Sequence, residues 1–509
     1  MALARRHPED PLLFAEAHRR IGGRPLVVPP ALHEVYRDPH PFVAVQKPSQ
    51  VGVTEMSLNL ALWVAATMQG GRGNVLYLLP TAEFAERISQ QRLAPAIEQS
   101  PTLSLMAGVS PATQKVGVRT VGGRPIYIVG SQEQRQFAGI DADLVVLDEF
   151  DLMDDDVLPQ ALARLRSSQL ALCRVVSTPT VSGVGIHALL EQSDERHYEL
   201  QCARCRNWVE PQFPQNVTVD ALDPSVVCDC GAPLPFYLPG RWVAIRPEVT
   251  SVRGYQLNRL TLPSPPLRQM IQMSRGTVGL RLEEFYRQDL GVPFEARDAR
   301  LSQYELDKCR APHPPSGMKP KAVVMGVDVG DKVFWVVVRG FYGNGRSMLL
   351  AAERVVSEDW EVLGAYCARF DVDYCLVDAL PEGRAARQFV DRLSRGPGRT
   401  VGFICRYDRR TDHEYDWGTR TVHAARTLAL DELFDSFRRE RNLVPEDARG
   451  LAGGAYYAHL QALVRVTEPD EFGQAIPAYR HTLPDDFAHA EAYISLAAMH
   501  WGRWRGWWE

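Results

Sequence analysis

Between about Pro41 and Ser182, short apolar runs alternate with longer amphipathic stretches. FVAVQ (42–46), NVLYLLP (74–80), PIYIVG (125–130), DLVVLDE (143–149) and CRVVSTPT (173–180) each end in turn-forming or polar residues. TEMSLNLALWVAATM (54–68) and AEFAERISQQRLAPAIE (82–98) carry apolar residues at helical spacing. Short apolar strands separated by helices predict an α/β fold whose mainly parallel sheet is covered on both faces. This first domain is expected to span 1–310, with a cysteine-rich insert at 198–235.

Residues 311–320 are Pro- and Gly-rich without an apolar period and are expected to form a linker. From 321 to 509 the pattern changes. The run 321–355 reads as three strands joined by turns, with a GNG hairpin at 343–345. A helix at 358–370, a strand at 373–379, a helix at 383–395, a strand at 400–408 and a late helix from Pro484 complete the series. That order resembles an RNase H-like domain.

A chain of 509 residues is too long for one core, which agrees with two domains. Hydrophobic residues make up 45% and charged residues 23%, which excludes extended disorder. No apolar run approaches the roughly 20 residues that span a bilayer, so no membrane residence is expected. A net charge of −5 does not itself suggest DNA, but DNA binding needs local basic contacts rather than a basic total. Only six lysines occur: Lys47, Lys115, Lys308, Lys319, Lys321 and Lys332.

Lys47 opens the segment Lys47-Pro48-Ser49-Gln50-Val51-Gly52-Val53-Thr54-Glu55, between strand FVAVQ and a helix. A phosphate loop needs that context, with backbone amides and a helix N-terminus facing the anion. Ser49 to Glu55 would line the nucleotide, and the Thr54 hydroxyl would bind Mg²⁺. Val53 stands where the phosphate-binding lysine is usual, so Lys47 is the candidate to supply that charge from the loop's front. The alternative is a strand–turn–helix with an incidental lysine. Asp148-Glu149 ends the strand DLVVLDE, with Asp148 assigned to Mg²⁺ and Glu149 to the attacking water. Ser177-Thr178-Pro179-Thr180 ends another strand and is either a sensor beside the γ-phosphate or a helix cap or turn. Arg135 is an arginine-finger candidate or a solvated arginine.

Cys202 and Cys205 have the two-residue gap of a zinc knuckle; Cys228 and Cys230 are one residue closer together. The four predict a structural Zn²⁺ site with no open position, or else two metal-free turns. In the second domain Asp328 interrupts an apolar strand, Asp378 ends another, and Asp485-Asp486 opens the last helix. A charge buried between Val327 and Val329 is costly unless a metal or partner compensates. Converging carboxylates would hold two Mg²⁺ or Mn²⁺ ions for phosphodiester cleavage. Separately, each has a bland reading as a turn or helix cap. The tail HWGRWRGWWE (500–509) reads as core or as an interface anchor.

The series VQKPSQVGVTE, VVLDEFD, VVSTPTVSGVGIHALLEQSDERHYELQCARC and EEFYRQDLGVPFE resembles terminase large subunits of the lambda-like branch of tailed phages, over nearly the whole chain. The resemblance implies an ATPase that translocates double-stranded DNA into a prohead and an endonuclease that cuts it. It further implies a homo-oligomeric ring on a portal protein, a small terminase subunit as partner, and residence in the host cytoplasm. In such relatives a lysine at the loop's front is catalytic, which points to Lys47, and an acidic or histidine residue near the late motif makes His489 and Asp331 secondary candidates. Two other readings compete. A helicase–nuclease of repair or restriction would need a second motor lobe, and a catalytically degenerate packaging scaffold would make both carboxylate sets incidental.

Overall fold

The computed structural model describes residues 10–498 except 69–72, 108–113, 133–136, 155, 264, 276–281, 295–298, 313–318, 344, 396–399, 409–411 and 470–474. Arg135 and the tail 501–509 therefore lie outside the described residues. The chain divides into two units, Met1–Glu295 and Ala296–Glu509. The division precedes the expected 311–320 linker because Leu301, Leu306 and Cys309 are buried in the second unit's core. Among the described residues no helix is long and apolar enough to cross a membrane.

The first unit is built on an eleven-stranded sheet. Its strands are β1 (Phe42–Gln46), β2 (Val75–Leu79), β3 (Gln114–Lys115), β4 (Val118–Val121), β5 (Arg124–Gly130), β6 (Leu144–Asp148), β7 (Leu172–Ser177), β8 (Arg196–Gln201), β9 (Trp208–Val209), β10 (Gly240–Ala244) and β11 (Arg253–Gln256). The order is β9-β8-β11-β1-β7-β6-β2-β5-β4-β3, with β10 on β8. The central run from β11 to β5 is parallel, and β3–β5 turn back antiparallel at one edge. β1, β2, β6 and β7 are buried almost throughout, which explains their unbroken apolar sequences. Helix α1 (Val53–Thr67) follows Gly52, whose φ of 85° requires glycine, and is buried over most of its circumference. Helix α2 (Ala82–Ile88) runs on into a π-helical turn, Ser89–Leu93.

The second unit carries an eight-stranded sheet. Its strands are β12 (Ala322–Gly330), β13 (Val333–Gly343), β14 (Arg346–Val356), β15 (Tyr374–Asp378), β16 (Val401–Asp408), β17 (Glu414–Asp416), β18 (Thr421–Ala425) and β19 (Asn442–Leu443). The order is β17-β18-β16-β15-β12-β13-β14-β19. β12–β14 are antiparallel neighbours, while β12, β15 and β16 run parallel, the expected RNase H-like arrangement. Helices α3 (Glu361–Phe370) and α4 (Gly383–Arg395) cover one face. Helices α5 (Arg426–Arg438), α6 (Ala455–Ala462) and α7 (Asp486–Ala497) cover the other. Gly326 on β12 permits α7 to approach closely: a Cβ there would stand 2.0 Å from the Ala490 carbonyl oxygen.

Candidate functional sites

In the first unit β7 lies between β1 and β6, so the ends of the three strands meet at one sheet edge. Lys47 follows β1 and is 4% exposed. Its backbone N–H donates to the Ser177 carbonyl (3.0 Å). Its Nζ donates to Glu149 Oε1 (2.9 Å) and to Thr178 Oγ1 (3.3 Å). The residues expected at the acidic strand, the loop's front and the Ser-Thr-Pro-Thr turn are thus joined by one side chain. Glu149 has a left-handed backbone (φ 59°, ψ 47°), a strained setting of the sort found at functional sites.

Tyr77 OH donates to Asp148 Oδ2 (2.7 Å), while the buried Oδ1 has no hydrogen-bond partner among the described residues. Burial, reinforced by Glu149, pushes Asp148 up to about 6, against the pull of Lys47, Tyr77 and Thr54. An orphaned carboxylate oxygen at this depth fits a cation that would supply the missing partner. A cleft of about 480 Å³ is lined by Lys47, Ser49, Gln50, Val51, Gly52, Val53, Thr54, Glu55, Asp148 and Glu149. Glu55 turns toward arginines, pairing with Arg19 and with Arg92 (2.9 Å).

Three contributors went unread in the sequence. Phe84 and Arg87 of α2 form part of the cleft wall, with the guanidinium 4.3 Å from the ring centroid. Asp151 ties the two strand ends together. It accepts from Thr180 N (2.8 Å), Thr180 Oγ1 (2.9 Å) and Ile186 N (2.8 Å), and its own N–H donates to Ser177 Oγ (3.0 Å). Ser177 and Thr180 are therefore latched to the acidic strand and do not cap the following helix. The only trace of Asp151 in the sequence is a second acid two residues past Glu149.

The cysteines converge. All four Sγ atoms lie within 4.8 Å of one another, with Cys202–Cys230 at 3.7 Å and Cys205–Cys228 at 3.6 Å. Thiolates tetrahedral about zinc at roughly 2.3 Å would be about 3.8 Å apart, and a disulfide would need about 2.05 Å. The short Cys228–Cys230 gap is accommodated by a turn in which Gly231 N donates to the Cys228 carbonyl (2.7 Å). Backbone amides of Cys205 and Arg204 hold the Cys202 thiol down to about 6.

In the second unit, Val327 pairs with Val377 on adjacent parallel strands, so Asp328 and Asp378 come next, side by side. Strand alternation turns both to the α7 face, because Val324, Tyr374 and Leu376 belong to that core. Asp328 is 9% exposed, and Tyr493 OH of α7 donates to it at 3.3 Å. Burial, then repulsion from Asp378, Asp486 and Asp485, raises Asp328 well above the carboxylate range. Burial also raises Asp378, which accepts from Leu380 N at 3.1 Å.

Asp485 does not cap α7 with its side chain. It pairs with His489 Nε2 (3.1 Å), His481 Nδ1 (3.7 Å) and Arg426 Nη2 (3.8 Å). Burial opposes ionisation there, but His481 and His489 hold Asp485 far below the usual range. Asp486 faces His459 Nδ1 at 3.3 Å. Asp331 is exposed in the turn after β12. The carboxylates share one field without closing into a cage: among the described residues only the cysteines form a group of metal-ligand closeness.

Behind this site Arg339 on β13 and Glu491 on α7 form a fully buried bidentate pair (2.6 and 2.9 Å). Arg339 also donates to Tyr456 OH (3.1 Å) and the Leu443 carbonyl (2.9 Å). Neither residue stands out in the sequence, where each sits singly in an apolar context.

Residues 33–232 match the family described as phage terminase large subunit gpA, ATPase domain. No curated protein matches the chain. Among solved structures, the HK97 bacteriophage large terminase is 12% identical with a TM-score of 0.58, over 97% of this chain and 100% of that one. A large terminase from a thermophilic bacteriophage is 14% identical over 93% of this chain and 100% of that one, at a TM-score of 0.34. The magnesium-bound large terminase nuclease of thermophilic phage G20c is 13% identical over 37% of this chain and 91% of that one, at 0.25. Residues 33–232 thus match the ATPase domain of the phage terminase large subunits, and the chain is similar in fold to a large terminase.

Proposed function

We propose that this chain is the motor and nuclease of phage DNA packaging, translocating double-stranded DNA into a prohead with ATP and cutting that DNA with its second unit. The observation that carries the motor reading is the meeting of Lys47, Glu149 and Thr178 at three strand ends, beside the half-satisfied Asp148.

ATP with Mg²⁺ suits the first site. Lys47 and the backbone of Ser49 to Val53 would hold the phosphates, and Thr54 and Asp148 the cation. Bound Mg²⁺ neutralises phosphate charge in such a site. Glu149 orients water for attack, and Thr178 with Asp151 passes the change at the phosphate end into β6 and β7. Arg135 is proposed as the arginine finger on its place in the sequence.

In the second site Asp328, Asp378 and Asp486 or Asp485 would hold Mg²⁺ or Mn²⁺, since oxygen donors favour hard ions. Such metals supply an activated water and stabilise the leaving oxygen. Tyr493 holds Asp328, and His489 holds Asp485. Structural Zn²⁺ fits the four cysteines. A small terminase subunit, a portal, a ring of copies and the host cytoplasm follow from the lambda-like resemblance. A helicase–nuclease is not favoured, because the second unit's sheet is RNase H-like and not a second motor lobe.

The test is a pair of assays on the purified full chain: ATP turnover with and without linear duplex DNA, and plasmid cutting with Mn²⁺. DNA-stimulated turnover together with cutting supports the reading. A chain that does neither refutes it.

A further inference from the structure

The phosphate loop is held from behind by a segment far along the chain. Ser49 N donates to the Gln288 carbonyl (2.9 Å), and Gln46 Nε2 donates to the Gly291 carbonyl (2.8 Å). Gln288 lies in a π-helical turn, Phe285–Leu290, a distortion often retained at functional sites. Gly291 has a φ of 67°, and a Cβ there would stand 2.7 Å from Pro48 N, so backbone packs directly on backbone.

At the centre of this contact is Arg259. Its Nη2 donates both to the Ser49 carbonyl and to the Gln288 carbonyl (2.8 Å), and its Nε lies 3.4 Å from Asp289 Oδ1. One guanidinium therefore fastens both sides of the seam between the loop and the turn. The same turn reaches the other side of the site, where Arg287 Nε donates to the Pro179 carbonyl (3.0 Å). Phe294 N also donates to the Thr180 carbonyl (3.2 Å). Apart from Gln46, the last residue of β1, none of these groups lies in the sheet that aligns Lys47, Glu149 and Thr178. They fix where the loop's front begins, and hence where its amides point.

We propose that Arg259 is a positioning residue for ATP hydrolysis, holding the front of the phosphate loop in its anion-binding shape through Ser49 and Gln288. The inference rests on the ATPase reading of the cleft. A planar fork suits this place: Nη2 spans two carbonyls while Nε stays beside the Asp289 carboxylate. A lysine in its place has a single, freely rotating nitrogen and lacks the second, rigidly spaced one that stays beside the Asp289 carboxylate. Loss of the fork lets the loop relax before nucleotide arrives, so the cost falls on binding more than on the chemical step.

The experiment measures DNA-stimulated ATP turnover of the full chain carrying Arg259→Gln or Arg259→Lys, with Glu149→Gln as reference. Expected is a rise of about tenfold or more in KM for ATP, a smaller fall in kcat, and unchanged plasmid cutting. Added guanidinium ion should lower KM toward wild type in Arg259→Gln, a rescue that a general loss of stability would not show. If Arg259→Gln fails to fold, Arg259→Lys carries the test through its KM-against-kcat split. Wild-type KM in the folded Arg259 variants, with Glu149→Gln inactive, would overturn the inference alone. Full turnover in Glu149→Gln would remove the ATPase reading and the inference with it.

Discussion

Lys47 Nζ sits 2.9 Å from Glu149 Oε1, although the two residues follow strands separated by β7. The only lysine near the loop is thus the counter-ion of the residue assigned to the attacking water. Lys47→Ala removes the phosphate-binding charge and leaves Glu149 without its cation. ATP turnover should fall by about 10²–10³-fold while the protein stays folded. Steady-state hydrolysis with circular dichroism checks this, and near-wild-type turnover would exclude Lys47 from the site.

Glu149→Gln keeps the size of the side chain but removes the carboxylate. Nucleotide binding, read by equilibrium titration, should persist while hydrolysis is lost. Plasmid cutting should be unaffected. Parallel loss of cutting would contradict two separate sites.

Asp328→Asn should abolish cutting and leave metal-free stability unchanged or raised, because Asp328 is buried among three other acids. The sign for pH follows from its raised folded pKa. Its contribution is fully present below the unfolded value of about 4 and is lost as pH rises through the folded one. In chelator, the melting-temperature advantage of Asp328→Asn over wild type should therefore be largest near about pH 8 and shrink toward about pH 5. An advantage that grew on acidification would show that Asp328 is not held under repulsion. Added Mn²⁺ should stabilise wild type more than the variant.

Cys202, Cys205, Cys228 and Cys230 should retain one zinc per chain through purification, measured by elemental analysis. Strong chelators or Cys205→Ser should release it and lower the melting temperature of the first unit. A metal-free protein of unchanged stability would leave only paired turns.

Arg339 and Glu491 are both 0% exposed, so removing one partner strands a buried charge. Glu491→Leu alone should cost about 3–5 kcal/mol in denaturant unfolding. Arg339→Met with Glu491→Leu should recover most of that loss, since an apolar pair of similar volume replaces the ions. A double variant no better than the single one would show that Tyr456 and the Leu443 carbonyl depend on the guanidinium itself.

The fold class was legible because it rests on periodicity. Strands buried on both faces must be continuously apolar, and β1, β2, β6 and β7 are. The candidate site residues at strand ends stood out for a related reason. Lys47, Asp148, Glu149, Asp328 and Asp378 are polar groups where an apolar run stops or is broken, and four cysteines in two close pairs carry their own signal.

What the sequence left open depended on which strands are neighbours. A linear chain does not reveal that β7 enters between β1 and β6, so the contact of Lys47 with both Glu149 and Thr178 was decided by sheet order. Asp151, Arg259, Arg339 and Glu491 escaped notice because each draws its meaning from a partner distant in sequence. For Asp485, helix-cap chemistry was a sound local expectation, and His481 and His489 redirected its side chain in space. Local composition determined which segments become strands and helices, while burial and charge pairing across the sheet decided which polar groups work together.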